Sequence, residues 1–203
     1  LAIAVVLTMF MFAALIAITA RSLARADRAR QRSERRVAAQ YVTTRVLVES
    51  ATLSAAIPRV LQAVCESLDR VMGARWSLDP ETQRLRCEEM WVAPPRRLEF
   101  VNVNRRFSFA RGVGLPGRVW STGRAAWITD VVKDPNFPRL EYALNEGLHG
   151  AFGFPIIGPN GFLGVMEFFS TEIREPDEPL LALFEGVGGQ VGQFIERKRA
   201  EAE

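Results

Sequence analysis

The sequence predicts an α+β fold, a central antiparallel sheet with helices on both faces, preceded by a transmembrane helix and a connecting helix. Three observations lead there. Residues 1–20, LAIAVVLTMFMFAALIAITA, carry no charge. Short strand-like runs between residues 74 and 170 are separated by turn residues, including an Asn160-Gly161 pair. Two apolar stripes at helical spacing flank them, Leu53, Ile57, Val60, Val64, Leu68, Val71 and Leu180, Leu183, Val187, Val191, Phe194.

The first twenty residues, at about 1.5 Å of rise each, span roughly 30 Å, the thickness of a bilayer's hydrocarbon core. Seven arginines follow within residues 21–36 against Asp27 and Glu34, which sets the following segment in the cytoplasm by the positive-inside rule. A secretory signal would carry a shorter apolar run behind a charged n-region, and none is visible here. The expected localisation is the cytoplasmic membrane, with membrane lipid as a partner. The chain starts at Leu1 rather than Met, so a longer parent protein is expected.

The basic collar accounts for the positive charge. The whole chain holds 26 basic and 23 acidic residues, and removing residues 21–36 leaves 19 and 21. The remainder is no footprint for phosphate backbones, and no nucleic-acid partner is expected. Cys65 and Cys87 make no CxxC pair, and a single histidine, His149, cannot build a zinc cluster. No cofactor and no metal site are expected.

Residues 21–51 form the connecting helix. Within it and just beyond, Val37, Tyr41, Thr44, Val48, Ala51 and Ala55 trace a short a/d seam, through which a second copy would pair to give a homodimer. The stripe over 53–71 follows, with Pro58 early in its helix and Gly73 as its stop. Residues 74–78 and 85–92 read as a hairpin closed by Pro94-Pro95, residues 96–110 as a helical stretch, and residues 111–117 as a glycine-rich loop. Residues 125–130 read as a strand and residues 141–148 as a short helix. Two further strands, 151–157 and 162–170, share the Asn-Gly turn. In the last strand Leu163, Val165, Glu167 and Phe169 alternate with Phe162, Met166 and Phe168, so both faces are expected to be covered. Asp177 caps the final helix. Gly186, Gly188, Gly189 and Gly192 inside it each cost about 1 kcal/mol against alanine, which calls for close approach by another helix or a sister chain. The charged end, residues 196–203, reads as a helix cut in its middle.

The stretches GVGLPGRVW (112–120), AWITDV (126–131), GLHGAFGFPI (147–156), LGVMEFFS (163–170) and VGQFIERKRAE (191–201) together resemble the GAF domain. The resemblance covers roughly residues 52–203, with the domain itself at 52–196 and the start of a truncated exit signalling helix at 197–203. It implies a sheet with a bundle of the first and last helices on one face and a roofed ligand pocket on the other. By the same analogy segments 127–142 and 147–154 face an unidentified small molecule, with Trp127, Asp130, Phe137, Tyr142, His149 and Phe152 as candidate ligand-binding residues. Pro135 and Arg139 stand where bilin-binding members carry Cys and His, and the ordered Asn-Lys-Phe-Asp-Glu signature of cyclic-nucleotide-binding members is not found.

Gly112-x-Gly114-x-x-Gly117 fits a dinucleotide fingerprint literally, but it lacks the preceding apolar strand and reads as a tight turn. No nucleophile–base–orienter set or phosphate-binding lysine loop is visible, so the chain is expected not to be an enzyme. The resemblance implies a sensory input module of a membrane-bound signalling protein, with a two-component sensor histidine kinase as the expected parent. The competing readings are a ligand-free dimerisation and relay module serving another output such as a cyclase, and a small redox enzyme using Cys87.

Overall fold

The computed structural model describes residues 2–95 and 99–201, with the side chains of residues 2–10, 13, 14 and 28 outside the description. The chain falls into two units, residues 1–37 and 38–203. The first belongs to helix α1 (Ala2–Glu49). Its described apolar side chains Met11, Phe12, Leu15, Ile16 and Ile18 are exposed, and Arg30 pairs with Glu34 one turn on at 2.8 Å. Among the described residues no helix is long and apolar enough to cross a membrane. The span expected over residues 1–20 falls largely outside the residues whose side chains are described.

The second unit begins with the last turns of α1. Ala39, Thr43, Val46, Leu47 and Ser50 are buried, while Tyr41 and Val48 are 65% and 79% exposed. The expected a/d seam therefore lies on the solvent side of the single chain, and a different stripe holds α1 to the domain.

Helix α2 (Leu53–Leu68) opens on Thr52, whose hydroxyl accepts from the Ala55 N–H. It stops at Leu68 rather than running to Val71. Asp69 takes the left-handed conformation, φ 52°, and its N–H returns to the Cys65 carbonyl. Asp tolerates that conformation better than most residues, so the helix needs no glycine to end. Gly73 instead belongs to β1 (Met72–Asp79).

Strand β2 (Arg84–Val92) completes the expected hairpin. The helical stretch expected over 96–110 is shorter: α3 covers Glu99–Arg106, and β3 (Ser108–Phe109) pairs with Arg86 and Leu85. The glycine-rich loop is likewise shorter than expected, since α4 (Gly114–Thr122) starts inside it. Next come β4 (Ala126–Ile128), a 3-10 turn at Val131–Lys133 and α5 (Leu140–Asn145). Strands β5 (Ala151–Gly158) and β6 (Gly161–Phe169) precede α6 (Glu178–Ala200), whose N-cap is Asp177 as the sequence indicates.

The six strands lie in the order β3-β2-β1-β6-β5-β4 with antiparallel neighbours. Helices cover both faces, as the two-sided apolar pattern of β6 requires. That pattern contains one irregularity. Ile156 pairs with Gly164 and Ile157 with Phe162, which leaves Leu163 as the extra residue of a bulge. Beyond it the faces exchange: Leu163 joins Met166 and Phe168 against the α2/α6 side, and Phe162 joins Val165 and Phe169 on the other. Strict alternation predicted the reverse for residues 162 and 163.

The first cluster gathers Ile57, Val60, Leu61 and Val64 of α2, Phe152, Phe154 and Ile156 of β5, and Phe184, Val187, Val191 and Phe194 of α6. Fully burying each such side chain is worth about 1.5–3 kcal/mol. The close approach expected of the helix glycines is real but its partner differs. A Cβ on Gly188 would overlap the Pro155 carbonyl and one on Gly192 that of Ile157, whereas Gly186 and Gly189 face open space. At these glycines helix α6 is seated on the backbone of β5, not on another helix.

Candidate functional site

The second cluster lies between the opposite face of the sheet and a roof made of α3, α4, α5 and their loops. Met72, Ala74, Trp76, Phe109, Val165 and Phe169 rise from the sheet, and Phe100, Leu115, Val131 and Phe137 descend towards them. An apolar chamber of this kind ordinarily excludes charge. This one holds a charged pair, Arg139 and Glu167, both fully buried.

Each member is fixed by the element that carries it. Glu167 sits on β6 at a position whose alternation points to the roof side, between Val165 and Phe169. Arg139 precedes α5 and reaches from the roof to the sheet. Its Nη1 donates to Glu167 Oε1 at 2.7 Å and to Asn104 Oδ1 at 2.8 Å, and its Nη2 donates to Glu167 Oε2 at 2.9 Å. The Trp76 indole N–H donates to the same carboxylate at 2.8 Å. The guanidinium carbon stands 4.8–5.4 Å from the ring centroids of Trp76, Phe100, Phe109, Phe137 and Phe169. Bidentate pairing and cation–π attraction both strengthen when water is excluded. Arg139 Nε is buried with no hydrogen-bond partner.

The roof is stitched to its surroundings by polar side chains. Asn136 accepts from the Gly114 N–H and donates to the Gly112 carbonyl, both at 2.9 Å. Arg118 pairs with Asp134 at 2.7 Å. Asp130 accepts from the Val132 N–H and lies 2.9 Å from His149 Nδ1. That contact with His149 holds the Asp130 carboxyl below its usual range. The stabilisation is therefore present above the ordinary carboxylate value and is lost as pH falls through the lower folded one.

With this geometry in hand, residues 50–196 match the GAF domain family. The chain is a GAF domain protein. Its structure is similar to the GAF domain of a phosphoenolpyruvate-protein phosphotransferase from Coxiella burnetii, with a TM-score of 0.70 at 18% identity over 83% of this chain and 97% of that one. The GAF domain of the Acinetobacter phosphoenolpyruvate-protein phosphotransferase gives 0.66 at 14% over 82% and 96%, and the A. Aeolicus nlh2 GAF domain 0.66 at 17% over 82% and 98%. At such identities the likeness concerns the fold. Protein NLP8 of Arabidopsis thaliana is 30% identical over 96 residues, 42% of this chain and 10% of that protein. The chain thus spans about a tenth of the length of the curated relatives it matches. A GAF domain is a regulatory sensing module.

In this GAF domain the six expected ligand-facing residues are not brought together. Phe137 lines the chamber, with its ring 6.2 Å from that of Phe169. Asp130 and His149 meet each other at the rim of the roof. Tyr142 is 37% exposed on α5. Trp127 and Phe152 belong to the opposite face of the sheet, stacked on each other at 5.7 Å within the α2/α6 cluster. The reason is period two: Ile128 and Ala151 occupy the roof side, so their neighbours Trp127 and Phe152 must point away. There they shelter Arg70, whose guanidinium lies 5.1 and 4.9 Å from their rings. Burial pushes Arg70 down to about 9, and its Nε and Nη1 have no hydrogen-bond partner.

The chamber's decisive residues, Arg139, Glu167, Asn104 and Trp76, were not among the sequence candidates. Glu167 carried a usable signal, a lone charge inside a strand of large apolar residues. Asn104 carried none. The redox reading of Cys87 loses its chemistry here, because burial pushes that thiol up to about 12 and leaves it protonated near neutrality.

Proposed function

We propose that this GAF domain is the input module of a membrane-anchored signalling protein of the sensor histidine kinase type, passing signals through its flanking helices to an output domain. One observation carries the reading. Ala39, Val46 and Leu47 of the incoming helix share a buried cluster with Val187, Val191 and Phe194 of α6, and Thr44 hydrogen-bonds Gln190 at 2.9 Å. A displacement of α1 would therefore be felt by α6 without crossing solvent. The sheet links the chamber to the same helix, since Glu167 lies on β6, β6 pairs with β5, and β5 meets Gly188 and Gly192. Such a switch works only if the signal has different affinity for two arrangements.

The anchor is supported by the uncharged run of residues 1–20, the seven arginines after it and the exposure of Met11, Phe12, Leu15, Ile16 and Ile18. The domain then lies at the cytoplasmic membrane, facing the cytoplasm. Homodimerisation is supported by the solvent-facing Tyr41 and Val48. A second reading, a ligand-free dimerisation and relay module, is favoured by one specific observation: the chamber is filled by the protein's own side chains. Vesicle flotation tests the anchor. The chain should rise with vesicles containing anionic lipid even at high salt, and a variant lacking residues 1–20 should stay below. Flotation of both, or of neither, would overturn it.

A further inference from the structure

We infer that the chamber is a recognition site for guanidinium-type cations, occupied in the resting domain by Arg139 of the same chain, so that a small molecule carrying a planar guanidinium or amidinium group binds by displacing it. This rests on the reading of the domain as a sensor and names the ligand class of its pocket.

The chemistry of the walls selects the ligand. Five aromatic faces, one carboxylate and one amide oxygen surround the guanidinium. Aromatic faces attract cations and repel anions. The Glu167 carboxylate is buried and is matched in charge only while a cation sits before it. The Trp76 N–H donates to that carboxylate, orienting both of its oxygens for a planar partner with two parallel donors. An anion would meet ring faces and Glu167, and a neutral molecule would leave that carboxylate unpaired.

The occupant is a replaceable one. Arg139 stands outside α5, just before its first residue, and its Nε remains buried without an acceptor. The chamber therefore satisfies two of the three guanidinium nitrogens and leaves the third without an acceptor. Withdrawal of Arg139 would also remove the hydrogen bonds by which it ties the roof to the sheet strand that carries Glu167. Ligand exchange would thus alter the contact between roof and β6, the step a sensor needs. Because Arg139 is tethered beside its own site, it competes at high effective concentration, and external cations bind the intact domain weakly.

The test uses methylguanidinium as probe and methylurea, its neutral planar counterpart, as control, both at low millimolar concentrations below the denaturing range. Arg139→Ala empties the chamber. Methylguanidinium should raise the melting temperature of R139A saturably, with a midpoint at least tenfold lower than for the wild type. Methylurea should leave both unchanged, and adding Glu167→Gln to R139A should weaken the effect at least tenfold. An absent or unsaturable response in R139A, or an equal one to methylurea, overturns the proposal. Should R139A fail to fold, the Trp76 indole N–H resonance of the wild type is followed instead. Titrated to tenfold higher concentration to offset the tethered competitor, methylguanidinium alone should shift it saturably, and an unmoved resonance overturns the proposal. Either negative result leaves the helix relay standing, because hydrogen exchange over α6 reads that separately.

Discussion

Glu167→Ala should lower stability by about 3–5 kcal/mol, because it leaves the Arg139 guanidinium buried without its carboxylate. Arg139 is fully buried, and the pair is bidentate at 2.7 and 2.9 Å, so no solvent screens the loss. Adding Arg139→Met removes the stranded charge and should recover the protein to within about 1–3 kcal/mol of wild type, the cost of an unpaired Trp76 N–H. Denaturant melts of the single and double variants measure both. A shift in midpoint at constant slope is the signature of a change in stability alone. A loss below about 1 kcal/mol for E167A would mean that the pair is solvated in solution and does not close the chamber.

The four glycines of α6 should separate into two behaviours. Gly188→Ala and Gly192→Ala should each cost about 2–3 kcal/mol, since the new Cβ meets a carbonyl of β5 that cannot move without disturbing the sheet. Gly186→Ala and Gly189→Ala meet nothing and should raise stability by up to about 1 kcal/mol through helix propensity. Thermal unfolding of the four variants decides it. Similar effects at all four positions would show that α6 does not sit on β5 as described.

Much of the fold was legible because it rests on periodicity. The stripes of α2 and α6, the cap Asp177, and the two-sided strand β6 are local patterns that any chain must satisfy to bury those faces. Part of what was missed depends on contacts distant in sequence. The Leu163 bulge is set by pairing with β5, and it exchanges the faces of residues 162 and 163. The end of α2 at Asp69 was missed for a local reason, a non-glycine residue accepting a left-handed conformation.

The site was less legible than the fold. The family analogy suggested Trp127 and Phe152, yet the pleat of β4 and β5 turns both to the other face. Arg139 and Glu167 lie 28 positions apart, and nothing local announces that a roof residue and a strand residue will share one buried charge pair. Asn104 and Trp76 join them from two further elements. A chamber assembled from four segments leaves no spacing to read.

The central claim is that the chamber and the output helix are coupled through the sheet. Hydrogen–deuterium exchange on the wild type and Arg139→Ala tests it most directly. The account predicts faster exchange in R139A over the roof, residues 131–148, and also over α6 between Leu180 and Ile195. Acceleration confined to the roof, with α6 unchanged, would contradict the coupling.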